Sequence, residues 1–304
     1  MVKYLAVDNA ANAEAVKSFQ VNIDKIAPAA NCGSASANWL GTDASIACSP
    51  TDGGGSGLAS SVAATFNLST SVAAGTENAN ASTDSRTIFD AVGNSNAGIN
   101  SSPYKIDLSD PTNVQFSGGP AAGSSYDFGS VPAAPTCTAD DAISGLKDCV
   151  VTGYSNAVGT HTLTAKATDN AGRTTTETRT YTVSAYRLSG FYQPVDMRIL
   201  NGVKAGSTVP MKFELFQSIS GTELTSTSAI SKTSFVKLNC ASGTTEDAIE
   251  EYATGGTSLR YDSTGGQFIY NWQAPKAAVG TCYRVTIIPN DGSTNALVAD
   301  FRIR

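Results

Sequence analysis

The sequence predicts an all-β protein made of antiparallel β-sandwiches, and three observations support this fold class. Among its 304 residues, 28 are glycine and only 15% are charged. Short runs such as "HTLTAKATD" and "QFIYNW" recur between turns rich in Gly, Asn and Asp, which is typical of strands. Helical periodicity is confined to "EDAIEEYA" at 246–253, a candidate short helix. Because the connections leave no room for crossover helices, we expect antiparallel pairing.

One hairpin unit recurs along the chain. Residues 4–28 align with residues 87–111 and, more loosely, with residues 163–185. Each copy has two strand-like runs joined by a turn built on Asp with Asn or Gly, residues that tolerate the backbone of a tight hairpin turn. In the first two copies a proline follows, in "IDKIAP" and "IDLSDP". Because proline cannot continue a strand ladder, it predicts the exit of a domain.

These repeats predict four segments. Residues 1–26 are expected to be the closing hairpin of a truncated preceding repeat, and residues 27–107, 108–185 and 186–304 are each expected to form a sandwich. An isolated hairpin is marginally stable, so we expect this one to be frayed or loosely placed. The competing interpretation is strand addition to a neighbouring chain, as in some fibres. "MVKYLAVDNA" does not read as a signal peptide, so further sequence is expected before Met1 in the parent protein.

Six cysteines fall as one pair in each predicted sandwich. A bridge within each segment would contribute about 3–4 kcal/mol in the chain-entropy model. Zinc is a poor alternative because no pair has CxxC spacing and the chain has a single histidine. Disulfides indicate an oxidising compartment, so an extracellular or cell-surface location is predicted. The expected pairs are Cys32 with Cys48, Cys137 with Cys149, and Cys240 with Cys282.

The net charge and the hydropathy of the chain limit the classes of partner that we expect it to bind. The net charge of -6 argues against nucleic-acid binding, which favours a basic patch. No apolar run is long enough for a membrane span. The predicted partners are neighbouring domains of a longer chain, like subunits, or surface glycans and proteins.

Three stretches resemble known families. "FGSVPAAPTCTADDAISGLKDCVVTGYSNAVGTHTLTAKATDNAGRT" at 128–174 resembles bacterial immunoglobulin-like repeats of the hyalin-repeat kind, and the stretch from Cys32 onward resembles a related repeat. The last segment resembles the PxKF domain, with Pro210, Lys212 and Phe213 matching its signature. The resemblance implies tandem immunoglobulin-like sandwiches from a large secreted or surface-anchored bacterial protein, acting as accessory modules. It implies no catalytic residues.

Catalysis has little support in the residues themselves. The one histidine, His161, shares the inward face of a predicted strand with Leu163 and Ala165, which favours a structural role. An acidic run offers paired carboxylates for glycoside chemistry, but such a run is more often a solvated face. Its members are Glu246, Asp247, Glu250 and Glu251. No catalytic residue and no required cofactor are predicted.

Calcium is the one cofactor that the sequence suggests. Acidic residues precede a Ser-Gly-Leu in two loops, and each loop belongs to a segment that also carries an Asp turn. In an immunoglobulin topology these loops lie at one end of the sandwich, where carboxylates could converge on calcium. The competing interpretation is that the aspartates only cap their own turns. The candidate ligands are Asp52, Asp90, Asp140, Asp141 and Asp169.

Aromatic residues raise a second binding hypothesis. Phe268, Tyr270 and Trp272 alternate along one strand-like run. An exposed aromatic stripe could stack on sugar rings, whereas a buried one would be core. The candidate glycan-binding residues are Trp39, Phe191, Tyr192 and Trp272.

Two function classes follow. The first is a non-catalytic structural or interaction segment, such as a stalk, adhesin or fibre component. The second is an accessory glycan-binding module of a larger secreted enzyme. Repetition, low charge and the missing catalytic set favour the first.

Overall fold

A computed structural model describes residues 1–60, 65–245 and 259–304. The chain forms two compact units. One unit contains Met1–Val114, Ala139–Cys149 and Ala167–Thr175, and the other contains Gln115–Thr138, Val150–Lys166 and Thr176–Arg304. The residues predicted to form a short helix, 246–253, lie outside the described part of the chain. No helix within the described ranges is long and apolar enough to cross a membrane.

The N-terminal hairpin forms as the repeat predicts but packs on little. Strands β1 (Val2–Tyr4) and β2 (Lys17–Phe19) pair antiparallel, with Val2 opposite Phe19. Its large apolar side chains are exposed, including Phe19 at 55% and Ile23 at 73%. The hairpin therefore contributes no side chain to a core.

Eight strands build the next segment: β3 (Ala29–Cys32), β4 (Trp39–Leu40), β5 (Ser45–Thr51), β6 (Phe66–Ser69), β7 (Glu77–Ala81), β8 (Arg86–Phe89), β9 (Ser95–Ile99) and β10 (Tyr104–Asp107). They form sheets in the orders β3-β5-β6 and β4-β10-β7 and the hairpin β8-β9. Alternation along β5 buries Ile46 and Cys48, and Ile106 of β10 is fully buried in the same core. The Cys32–Cys48 disulfide joins β3 to β5.

Six strands follow: β11 (Thr112–Ser117), β12 (Ser125–Asp127), β13 (Thr136–Asp140), β14 (Leu146–Thr152), β15 (Gly159–Asp169) and β16 (Thr174–Ser184). Their sheet orders are β11-β13 and β12-β16-β15-β14. The alternation of β15 places Leu163 in a small core with Tyr181 and Val183. Cys137 and Cys149 are both disulfide-bonded.

The C-terminal segment has the largest core. Its strands are β17 (Arg187–Tyr192), β18 (Asn201–Val203), β19 (Thr208–Phe216), β20 (Ile230–Leu238), β21 (Leu259–Asp262), β22 (Gln267–Gln273), β23 (Cys282–Pro289) and β24 (Leu297–Ile303), with a 3₁₀ turn at Thr227–Ala229. Two four-stranded sheets result, β17-β19-β22-β21 and β18-β24-β23-β20. Trp272 is fully buried, 4.6 Å from Phe301 between ring centroids. The Cys240–Cys282 disulfide is formed.

A parallel strand pair is present among the described residues of each of these three segments. A short early strand, β4, β12 or β18, pairs in parallel with a later strand, β10, β16 or β24. Such pairing arises when an early strand crosses to the opposite sheet of a sandwich, a connection that the antiparallel prediction lacked. The described part of the chain is all-β and is built largely from antiparallel sheets, as predicted.

Two carboxylate clusters as candidate cation sites

The repeated Asp turn has the same hydrogen bonds in all three copies. Oδ1 of Asp90 accepts the backbone N–H of the second and fourth residues after it, at 3.0 and 2.7 Å. Asp8 makes the same two bonds at 2.9 Å each, and Asp169 at 2.8 Å each. This carboxylate therefore fixes the turn from within, which is why Asp stands at this position.

The two Ser-Gly-Leu loops are bound to these turns by equivalent backbone contacts. The N–H of Ala91 donates to the carbonyl of Gly57 at 2.8 Å, and that of Asn170 donates to Gly145 at 3.1 Å. Both glycines have positive φ, +80° and +81°, a conformation that favours glycine. Each loop therefore brings its own acidic residue close to an Asp turn.

In the first location this arrangement assembles Asp24, Asp52 and Asp90, which we call the Asp24 cluster. One carboxylate oxygen from each lies within 4.8 Å of the other two. Asp24 accepts the N–H of Ile26 through Oδ1 and that of Ser56 through Oδ2. Both oxygens of Asp24 are therefore occupied by donors.

Asn94 completes the hydrogen bonding of this cluster. Its side-chain amide donates to Oδ2 of Asp90 at 2.6 Å and to the carbonyl of Asp24 at 3.1 Å. Burial acts to raise the pKa of Asp90, but the bonds from Asn94 and Val92 outweigh it, so the pKa lies below its ordinary value. The protein itself thus stabilises the charged form of this carboxylate.

The second location assembles Glu77, Asp107 and Asp141, with Asp169 beside them; we call these four the Glu77 cluster. One carboxylate oxygen from each of the first three lies within 4.8 Å of the others. Asp107 occupies the same position as Asp24 in the aligned hairpin unit, and Asp169 is the turn aspartate equivalent to Asp90. Asp141 takes the place of Asp52 because it accepts the N–H of the loop glycine Gly145, as Asp52 accepts that of Gly57. The Glu77 cluster is therefore the repeat-related counterpart of the Asp24 cluster.

The hydrogen bonds in the Glu77 cluster engage one oxygen of each carboxylate. Oε2 of Glu77 accepts from the N–H of Ile143 and Ser144, and Oδ1 of Asp141 accepts from Gly145 and from the Ser144 hydroxyl. Oδ1 of Asp107 accepts both the N–H and the hydroxyl of Ser109 at 2.9 Å. The second oxygen of each carboxylate accepts none of these bonds.

Two of those second oxygens are buried without a donor. Oδ2 of Asp107 and Oδ2 of Asp169 have no hydrogen-bond partner among the residues that the structure describes, and both residues are 0% exposed. Burial, and then the charges of Asp107 and Asp141, raise the pKa of Asp169 above its ordinary value. A buried carboxylate oxygen with no donor is costly, so each calls for a specific explanation.

Some of the predicted calcium ligands lie in these clusters, and one does not. It brings Asp52 to Asp90, and Asp141 to the vicinity of Asp169, but Asp140 instead accepts a hydrogen bond from Asn113 at 2.9 Å. Sequence reasoning missed three carboxylates: Asp24, Asp107 and Glu77. The first two carried a usable signal, because "IDKIAP" and "IDLSDP" recur in the aligned units.

The predicted glycan-binding aromatics do not form a surface stripe. Trp272 and Phe191 are buried in the C-terminal core, where Phe191 packs edge-on against Phe213. Tyr192 is at the surface, and its hydroxyl bonds to Glu214. Trp39 is half-buried on the short strand β4. Among the four candidate residues, Trp39 and Tyr192 are thus the two that present ring surface to a ligand.

Of the residues weighed for catalysis, His161 is the one that lies in the described part of the chain. His161 packs against Tyr181 with ring centroids 5.3 Å apart, and its Nε2 lies 2.6 Å from the carbonyl oxygen of Ala157. These contacts account for His161 as a structural residue. The acidic run, Glu246, Asp247, Glu250 and Glu251, lies outside the described residues.

Similarity to known proteins is found among solved structures. No protein-family model and no curated protein matches the chain. Among solved structures, a tetra-tandem repeat from the extending region of a large adhesion protein is 14% identical over 99% of this chain and 80% of that one, with a TM-score of 0.31. Titin immunoglobulin tandem domains are 10% identical over 64% and 99%, with a TM-score of 0.24. The protocadherin GammaB4 extracellular domain is 13% identical over 93% and 52%, with a TM-score of 0.22. The resemblances to hyalin-type repeats and to the PxKF domain remain predictions.

Proposed function

We propose that this chain is a non-catalytic structural and adhesive segment of a bacterial secreted or surface protein, serving as part of a stalk, adhesin or fibre. Its partners in this role are neighbouring domains of a longer chain or like subunits. The segment acts by holding other parts of the protein at a distance and by resisting unfolding.

The observation that carries the proposal is the recurrence of one structural unit. The Asp turn is repeated three times with the same hydrogen bonds, and the contact between turn and Ser-Gly-Leu loop is repeated twice. Each of three successive segments has its own apolar core. Repetition of a self-contained unit extends a chain without building a composite active site.

The disulfides support an extracellular location. Cys32–Cys48 and Cys240–Cys282 are bonded, and Cys137 and Cys149 are disulfide-bonded as well. Such bonds persist in oxidising compartments and are rare in the cytosol. They also raise the resistance of small sandwiches to unfolding, a property useful in a stalk.

Single-molecule stretching tests the structural role. Under oxidising conditions we expect one discrete unfolding event for each sandwich, because each core is separate. Reduction should lengthen the chain released per event, since the disulfides then no longer shorten it. A single unfolding event at low force would contradict the proposal.

The alternative is an accessory glycan-binding module, and the partly exposed Trp39 and Tyr192 are the residues that favour it. A glycan array with the wild-type chain and the Trp39→Ala and Tyr192→Ala variants tests it. Under the structural proposal we expect no saturable binding. Binding that either variant abolishes would instead establish the glycan-binding module.

A further inference from the structure

We propose that the Glu77 cluster binds a calcium ion through Glu77, Asp107 and Asp141, with the carboxylate of Asp169 nearby adding its negative charge. The proposal goes beyond the structural role and does not depend on it. All four residues belong to the same compact unit.

The carboxylate oxygens of the cluster are spaced as the ligands of one cation would be. Oxygens from Glu77, Asp107 and Asp141 lie within 4.8 Å of one another, a spacing that one cation can bridge. In each carboxylate one oxygen is held by backbone N–H groups or a serine hydroxyl, which fixes the direction of the other. The site is therefore organised by the fold rather than by flexible surface chains.

Independently of this spacing, two buried carboxylate oxygens in the cluster have no hydrogen-bond donor among the described residues. Asp107 is fully buried, and its Oδ2 has no donor among the described residues, although Oδ1 of the same carboxylate has two. The same is true of Oδ2 in Asp169, whose Oδ1 also has two donors. A cation bound to Asp107 meets the first deficit directly, and its positive charge offsets that of the neighbouring Asp169 carboxylate.

Arg173, the basic side chain that follows Asp169, forms an ion pair outside the cluster. Arg173 lies four residues after Asp169, but its guanidinium is paired with Asp110 at 2.8 Å. A cation bound among the carboxylates would relieve their mutual repulsion, which Arg173 does not.

The donor set selects calcium among common metals. The three ligands are carboxylates, whereas structural zinc takes Cys and His and copper favours imidazole or sulfur. Calcium accepts six to eight oxygens in irregular geometry, with water and carbonyl groups completing the shell, while magnesium needs a near-ideal octahedron at shorter distances. Three carboxylates from three separate chain positions fit the first requirement better than the second.

Calcium titration of the full chain after chelator treatment tests the proposal. By isothermal titration calorimetry we expect one saturable site, with a dissociation constant in about the 10⁻⁴–10⁻³ M range typical of extracellular modules. Calcium should also raise the melting temperature, because it binds only the folded state. Magnesium at equal concentration should raise it much less.

Two variants and a matched control locate the ion. Asp107→Asn and Asp169→Asn each change a carboxylate into an amide of similar size. Each should weaken calcium binding about tenfold or more, comparable with losing a supporting group at a metal site. The control, Asp52→Asn in the Asp24 cluster, should leave calcium affinity unchanged. The measured quantity is the difference in melting temperature with and without calcium, which a merely destabilised variant would retain.

The outcomes are decisive in both directions. Absence of calcium binding to the wild-type chain, or an equal response to magnesium, overturns the proposal. So does binding that persists in both Asp107→Asn and Asp169→Asn. Binding lost only in the Asp52→Asn control would place the ion at the other cluster and equally overturn the assignment.

Discussion

The Asp24 cluster and the Glu77 cluster are two copies of one arrangement with opposite outcomes. In both, a hairpin Asp turn receives a Ser-Gly-Leu loop through the same backbone hydrogen bond. In the Asp24 cluster both oxygens of Asp24 and Asp90 accept hydrogen bonds from the protein. In the Glu77 cluster the equivalent Asp107 and Asp169 each keep a buried oxygen without a donor in the described chain.

Two side-chain differences account for this contrast. The residue four after the turn aspartate is Asn94 in one copy, where its amide bonds to Asp90, and Arg173 in the other, where the guanidinium turns to Asp110. The loop serine differs too. The Ser56 N–H donates to Asp24, whereas the Ser144 N–H donates to Glu77, not to Asp107.

The comparison teaches that a shared acidic scaffold does not by itself define a metal site. A carboxylate cluster whose oxygens are all satisfied by N–H donors gains little from a cation, because binding would only exchange one set of partners for another. The same scaffold with orphaned oxygens gains much more. The two clusters therefore differ in which carboxylate oxygens have hydrogen-bond donors, although both are acidic.

The largest effect should come from converting one cluster into the other. Arg173→Asn places an amide where Asn94 stands in the related turn, and we expect it to bond Oδ2 of Asp169. Calcium affinity, measured by calorimetry, should fall about tenfold to a hundredfold. Arg173→Ala, which removes the pairing with Asp110 without adding an amide, is the control and should keep its affinity. Equal affinities in the two variants would contradict the role given to this position.

When calcium is removed, replacing each of the two turn aspartates by asparagine should shift the melting temperature in opposite directions. Asp169→Asn exchanges an orphaned oxygen for a donor among carboxylates and should raise the melting temperature. Asp90→Asn disturbs a fully bonded carboxylate and should lower it. We expect changes of about 2–8 °C in each direction by calorimetric melting. Changes of the same sign would show that the two clusters do not differ as described.

Acid should weaken the Asp24 cluster in a defined pH window. The folded-state pKa of Asp90 is lowered from its ordinary value of 3.8. Its contribution to stability is therefore fully present above pH 3.8 and is lost as the pH falls below that value through the folded pKa. The difference in melting temperature between wild type and Asp90→Asn should shrink in this window. A difference independent of pH would refute the linkage.

The smallest effect should come from shortening the N-terminal hairpin. Removing residues 1–22 takes away exposed strands and should leave the melting temperature unchanged. Removing residues 1–26 also deletes Asp24, which binds the Ser56 N–H and accepts from Asn94, and should lower it by about 2 °C. Asp24→Ala in the full chain should reproduce that fall. A large loss from the shorter deletion would mean that the hairpin has partners beyond Asp24.

Pattern alone was sufficient for the local features. Alternation in "HTLTAKATD" predicted the buried face of β15, and Leu163, Ala165 and Ala167 are fully buried there. The Asp turns were predictable because their hydrogen bonds close within five residues. Pairing the cysteines within segments needed only their spacing, and the Cys32–Cys48 and Cys240–Cys282 bonds have that connectivity.

Tertiary structure decided everything that depends on distant partners. Glu77 reaches backbone groups 66 and 67 residues away, and no local pattern marks it as a member of an acidic cluster. Trp272 could have been a sugar platform or a core residue from its alternation, and only the packing of β22 beneath Phe301 settled its burial. The sequence by itself determined the strands, the turns and the set of acidic loops, because these follow from side-chain periodicity and short-range hydrogen bonds. Which carboxylates converge, and which oxygens are left without a donor, depends on how the strands that carry them pack together.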